Sequence, residues 1–250
     1  MIHSFLMIGQ SNMAGRGKIE QATKIENENL LVLRNGRWQK RFFPVNPDRS
    51  FSGVSLAETF IDLYQKEKGV EVGLIPCADG GTSLNQWAVG GLLFDHACYM
   101  AELASRTSNI AGVLWHQGEA DCKEYYYPDY YEKLTAIIKA FKKRLNLYDV
   151  PFLLGGLGDF LKDCTLDKSL VNYQKVNGAL ERVAGDMEMT AFVSAEGLTS
   201  NPDNLHFNSK SLEEFGKRYY EEFKKLERKD KVFYEKSHPD KAIRTEMELL

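Results

Sequence analysis

The stretch LMIGQSNMAGRG, Leu6–Gly17, decides how the rest of the chain is read. An apolar run from Phe5 to Ile8 stops at Gly9, and a single hydroxyl, Ser11, follows between Gln10 and Asn12. Gly15 and Gly17 come soon after and suit a turn. A buried strand that gives way to a glycine-rich turn carrying one serine suggests chemistry at a strand end. The segments beyond it test that idea.

Working outward, short apolar runs alternate with helical spacing. Val72–Pro76, Ile110–Trp115, Phe152–Gly155 and Thr190–Ser194 read as further strands. Leu56–Lys66, Leu93–Ser105, Tyr130–Leu145, most of Leu166–Ala184, and Leu212–Leu226 read as helices; in the first, Leu56, Phe60, Ile61 and Tyr64 share one face. Strands separated by helices run parallel, with crossovers covering both faces of the sheet. The expected fold is α/β, a three-layer α/β/α sandwich with about five parallel strands. It forms one domain over residues 1–227. The charged stretch 228–250 is expected as a surface helix or loosely held tail, or as a homo-oligomer contact.

The totals exclude several classes. The chain has 250 residues, 43% of them hydrophobic, enough for one sizeable core. Lys plus Arg is 32 against 35 Asp plus Glu, a formal charge of −3, so there is no electrostatic footprint for nucleic acid. No apolar run approaches the roughly 18 residues of a membrane span. The start MIHSFLMIG lacks a charged n-region and a cleavage site, and reads as a core strand rather than a signal peptide. Cys77, Cys98, Cys122 and Cys164 form no CxxC pair, which points to reduced thiols and a cytoplasmic protein.

Ligands of such folds sit at the carboxyl ends of the strands. Four polar clusters fall there or before the last helix: GQSN, CADGGTSLNQW (77–87), HQGEAD (116–121) and NPDNLHF (201–207). A serine hydroxyl needs a base to act as a nucleophile. His206 is the best candidate, and Asp203, three residues earlier, is placed to accept from its ring. Acyl transfer also needs donors for an oxyanion. The N–H groups of Ser11 and of Gly80 or Gly81, with the side-chain amide of Gln117, are candidates. On that reading Gln117→Ala loses about 10²–10³ in rate. His116-x-x-Glu119 has no third partner at metal-ligand spacing, so no metal or cofactor is expected. There is no G-x-S-x-G elbow, P-loop or dinucleotide fingerprint.

GQSNMAGRG, GGTSLNQW, WHQGEAD and DNLH together resemble the four blocks of the SGNH hydrolase superfamily. They are most similar to its carbohydrate-esterase branch of sialate O-acetylesterase-like and acetylxylan esterase-like proteins. The resemblance spans residues 6 to 207 in the family's order. It implies a flavodoxin-like sheet and a serine esterase that removes O-acetyl groups from small acetylated sugars. Ser11 matches the nucleophile, His206 the base and Asp203 the orienting acid. Ser11, Gly80 and Gln117 match the oxyanion hole, with Gly81 close to the same position. Gln10, Asn12 and Glu119 fall within the blocks as supporting candidates, and Asp121 completes the G-E-x-D pattern. Trp87, Trp115 and Tyr125–Tyr127 suit sugar stacking and packing equally. Substrate choice is ascribed to loops 18–53, 85–95 and 120–130. Two alternatives accompany the reading: a carbohydrate-binding protein without turnover, and a lipase or thioesterase of the same superfamily.

Overall fold

The computed structural model describes residues 1–236. Its centre is the strand predicted from the opening stretch, β1 (Ile2–Gly9), buried along its whole length. Alternation along that strand feeds two cores at once. Leu6 and Ile8 join one cluster, while Phe5 and Met7 join the other. A strand apolar on both faces must be covered on both faces, and that requirement builds the three layers.

Parallel strands β4 (Glu71–Pro76) and β5 (Ser108–His116) flank β1. Beyond β5 lie β6 (Phe152–Gly155) and β7 (Thr190–Val193), also parallel. Helices α2 (Leu56–Lys68) and α6 (Ser209–Leu226) cover the Phe5 face. Helices α3 (Leu92–Ala104), α4 (Tyr130–Leu145) and α5 (Tyr173–Asp186) cover the Leu6 face. The helices expected at 56–66, 93–105 and 130–145 form, with ends shifted by no more than two residues. The segment 166–184 is divided: a 3₁₀ turn over Lys168–Asn172 precedes α5.

The sheet has seven strands rather than about five, in the order β3-β2-β4-β1-β5-β6-β7. The two additional strands, β2 (Leu30–Arg34) and β3 (Arg37–Lys40), form an antiparallel hairpin at one edge. Its turn is Asn35-Gly36, both at positive φ (51° and 74°), the backbone that two-residue hairpins require. β2 then pairs in parallel with β4, so one hairpin lies at the edge of an otherwise parallel sheet.

The chain passes from β1 to strands on one side and later returns to strands on the other, so the end of β1 is the topological switch point. After α6, residues 227–236 form no helix and run past the amino end of β1, where the Phe233 ring packs against His3 with centroids 4.0 Å apart and the planes tilted by 36°. The remainder of the stretch expected as a tail or surface helix, 237–250, lies outside the described residues. All four cysteines are buried and free. Among the described residues, no helix is long and apolar enough to cross a membrane.

Candidate active site

Gly9 ends β1 because nothing larger fits. A Cβ there would stand 2.1 Å from the His116 carbonyl oxygen, and its φ is +132°. Gln10 then caps a single helical turn, α1 (Ser11–Ala14), which presents Ser11 at the switch point. Ser11 Oγ lies 3.0 Å from His206 Nε2, across 195 residues of sequence. His206 Nδ1 lies 2.7 Å from Asp203 Oδ2. The other carboxylate oxygen, Oδ1, accepts the backbone N–H groups of Leu205 (2.9 Å) and His206 (3.0 Å). The D-x-x-H turn therefore folds as its spacing suggested. Burial raises the Asp203 carboxyl, but the two backbone donors and the imidazole outweigh it and hold it below the usual carboxylate range.

Asn12 ties this late loop to the first block. Its Oδ1 accepts the Phe207 N–H (3.1 Å), and its Nδ2 donates to the Leu205 carbonyl (3.2 Å) and to Glu119 Oε1 (2.5 Å). Glu119 is thus a bracing group behind Asn12, 3.8 Å from His116 Nδ1. Burial lowers the His116 imidazole, outweighing the nearby Glu119 carboxylate and the Gly156 carbonyl at 3.2 Å from Nε2. Among the described residues, no three His, Cys, Asp or Glu gather as a metal site.

Gln117 stands elsewhere than expected. Its amide nitrogen donates to the Thr82 carbonyl (2.9 Å) and to Asp121 Oδ2 (2.6 Å), with Gln10 Oε1 3.3 Å away. Tyr130 OH donates to its backbone and side-chain oxygens at 2.7 and 3.1 Å. Both N–H groups face buried acceptors, so the side chain braces loops instead of presenting a donor beside Ser11. Burial raises the Asp121 carboxyl, against hydrogen bonds from Gln117 and Leu84. Gln10 Oε1 faces the N–H groups of Gly118 and Ala120 at 3.4 Å.

Gly80 also differs. Its N–H donates to Asp48 Oδ2 at 2.8 Å, pointing into a carboxylate rather than at a substrate oxygen. That carboxylate forms a two-pronged pair with Arg16, at 3.0 and 2.7 Å, both side chains nearly buried. Burial opposes the charge on Asp48, yet Arg16, Ser52 and the Gly80 amide together hold its carboxyl below the ordinary range. Neither Asp48 nor Arg49 was legible as a site residue. They sit in an aperiodic loop, and their partners lie about thirty residues further along the chain.

Ser11 and His206 open onto a cavity of about 430 Å³. Phe51, Leu166, Leu170 and Leu205 supply apolar lining; Arg49, Lys123 and Asp167 supply charge. Loops 18–53 and 120–130 contribute to it as anticipated, whereas 85–95 does not and 166–170 does. Trp87 and Trp115 are core residues, packed edge to face at 5.5 Å, and Tyr125–Tyr127 do not line the cavity. The exposed ring at the site is Phe51, 69% accessible.

The mixed α/β sandwich, with a seven-stranded sheet and helices on both faces, matches the fold of its SGNH hydrolase neighbours. A family model for "carbohydrate esterase, sialic acid-specific acetylesterase" matches residues 1–225, and the chain belongs to that carbohydrate esterase family. A probable carbohydrate esterase of Arabidopsis thaliana is 26% identical over 242 residues, covering 85% of this chain and 86% of its own. The X-ray structure of an Arabidopsis thaliana protein superposes with a TM-score of 0.80 at 23% identity, covering 89% of this chain and 98% of that one. A carbohydrate acetylesterase from Xanthomonas citri superposes at 0.64 with 17% identity, covering 87% of this chain and 55% of that one.

Proposed function

We propose that this esterase removes O-acetyl groups from small acetylated sugars, with Ser11 as nucleophile, His206 as general base and acid, and Asp203 as the orienting carboxylate. One observation carries the reading: the hydrogen-bonded chain Ser11 Oγ–His206 Nε2 (3.0 Å) and His206 Nδ1–Asp203 Oδ2 (2.7 Å) at the mouth of the cavity. The family to which the chain belongs, and its structural likeness to the carbohydrate acetylesterase from Xanthomonas citri, support the acetyl group as the acyl part.

The chemistry follows from the geometry. Ser11 Oγ attacks the acetyl carbonyl while His206 Nε2 takes its proton, and Asp203 supports the imidazolium that forms. The carbonyl electrons move onto oxygen, where backbone amides receive the charge; Ser11 N–H is one, in the first turn of α1 and without an intrahelical partner. Collapse of this intermediate expels the sugar alkoxide, which takes the proton from His206. Water, deprotonated by the same ring, then attacks the acetyl-serine; the acyl–Oγ bond breaks, His206 returns the proton to Ser11 Oγ, and acetate leaves.

A panel of acetylated sugars assayed for free acetate tests the proposal. Parent protein should release acetate from at least one of them, and Ser11→Ala should lose the activity by at least about 10³-fold. Undiminished acetate release by Ser11→Ala would end it, and preference for long-chain aryl esters over any sugar acetate would favour a lipase.

A further inference from the structure

Segment Asn46–Arg49 grips the glycine loop that passes Ser11. Asn46 makes both backbone hydrogen bonds of Ala78, accepting its N–H (3.0 Å) and donating to its carbonyl (2.9 Å). Asp48 accepts the Gly80 N–H at 2.8 Å. Arg49 donates from Nη2 to the Gly80 carbonyl and from Nη1 to Asp79 Oδ1, each at 2.9 Å. Thr82 Oγ1 donates to the Asp79 carbonyl at 2.7 Å. Held at so many points, the peptides around Gly80 have little freedom. They are also close to the nucleophile, since a Cβ on Gly80 would stand 3.4 Å from Ser11 Cβ and 2.6 Å from the Arg16 guanidinium.

The Gly80 carbonyl and the Gly81 N–H belong to one planar peptide and point in opposite directions. A guanidinium anchoring that carbonyl therefore sets the direction of the Gly81 N–H. Gly81 lines the cavity at φ +78°, a conformation that suits glycine. The Gly80 N–H is spent on Asp48. Resting on the reading of Ser11 as nucleophile, we propose that Arg49 is a positioning residue for acyl transfer. It orients the Gly80–Gly81 peptide so that the Gly81 N–H, rather than that of Gly80, joins Ser11 N–H at the developing oxyanion. Arg49 suits this work because its planar fork spans two acceptors, Gly80 O and Asp79 Oδ1, which a lysine ammonium cannot match.

The test uses 4-nitrophenyl acetate, an uncharged ester, so that attraction between Arg49 and a substrate anion plays no part. Arg49→Ala should lower kcat about 10- to 100-fold with KM changed by less than about threefold, the signature of a misplaced donor. Its side chain is 43% exposed, so added methylguanidinium can reach the vacated place and should restore part of kcat. Arg49→Lys should stay slow. Arg49→Gln provides the same split if the alanine variant folds poorly. Unchanged kcat, a loss confined to KM, or a loss that follows a lowered Tm and resists methylguanidinium would each overturn the proposal. If Ser11→Ala were active, the nucleophile assignment would fail instead; Ser11→Ala inactive beside a normal Arg49→Ala would sink only this inference.

Discussion

Gln117 illustrates how one side chain can look catalytic in the sequence and serve packing in the fold. Its position at the end of β5 matched an oxyanion donor, but Asp121 and the Thr82 carbonyl take its N–H groups. Replacing it strips one of two hydrogen bonds from the buried Asp121 Oδ2, which keeps the Leu84 N–H, and leaves the buried Thr82 carbonyl without its donor, at about 1–3 kcal/mol. Gln117→Ala is therefore expected to lower the urea midpoint at unchanged m-value, with its loss of turnover following that instability. A variant as stable as the parent but slowed 10²–10³-fold would return Gln117 to the oxyanion hole. Ser11, Asp203 and His206 were legible as candidates because the Asp203-to-His206 spacing is local and because the serine falls in one of four polar blocks expected near one edge of the sheet. The anchors of the glycine loop were not legible, since no spacing in sequence links Asp48 to Gly80 or Arg49 to Asp79.

Among the elements, α2 has a capping box. Ser55 accepts the Ala57 N–H, and Glu58 Oε2 accepts the Ser55 N–H at 2.6 Å. Ser55 Oγ also donates to the Met13 carbonyl at 2.6 Å, joining this helix start to the turn that carries Ser11. Glu58 is fully buried, and burial pushes its carboxyl up to about 8, against the Ser55 N–H and Arg41. Below about 4.5 the acid is protonated folded or unfolded. Between about 4.5 and 8 only the unfolded chain releases the proton, so this group makes stability fall as pH rises through that window. Glu58→Gln keeps the shape of the neutral acid and should gain on the parent in urea midpoint from pH 5 to pH 8. A constant gap between the two proteins would contradict a raised Glu58. The strand elements show the limit of periodicity. The five parallel strands β1, β4, β5, β6 and β7 were read correctly from their apolar runs, while the β2–β3 hairpin declares itself chiefly through Asn35-Gly36.

At the scale of the molecule, the sheet gathers what the chain keeps apart. β1 delivers Ser11, the loop after β4 delivers Gly80 and Gly81, the loop after β5 delivers the Glu119 brace, and the turn before α6 delivers Asp203 and His206. The parallel arrangement was legible because helices separate the apolar runs; the cavity wall at 166–170 was not, because loop shape follows no period. The most direct measurement is intact-mass and peptide analysis after treatment with a 4-nitrophenyl phosphonate ester, which reacts with an activated serine. One phosphonyl group on the peptide containing Ser11, formed far more slowly in His206→Asn, is the predicted result. Labelling elsewhere, or equal labelling of Ser11 without His206, would contradict the account.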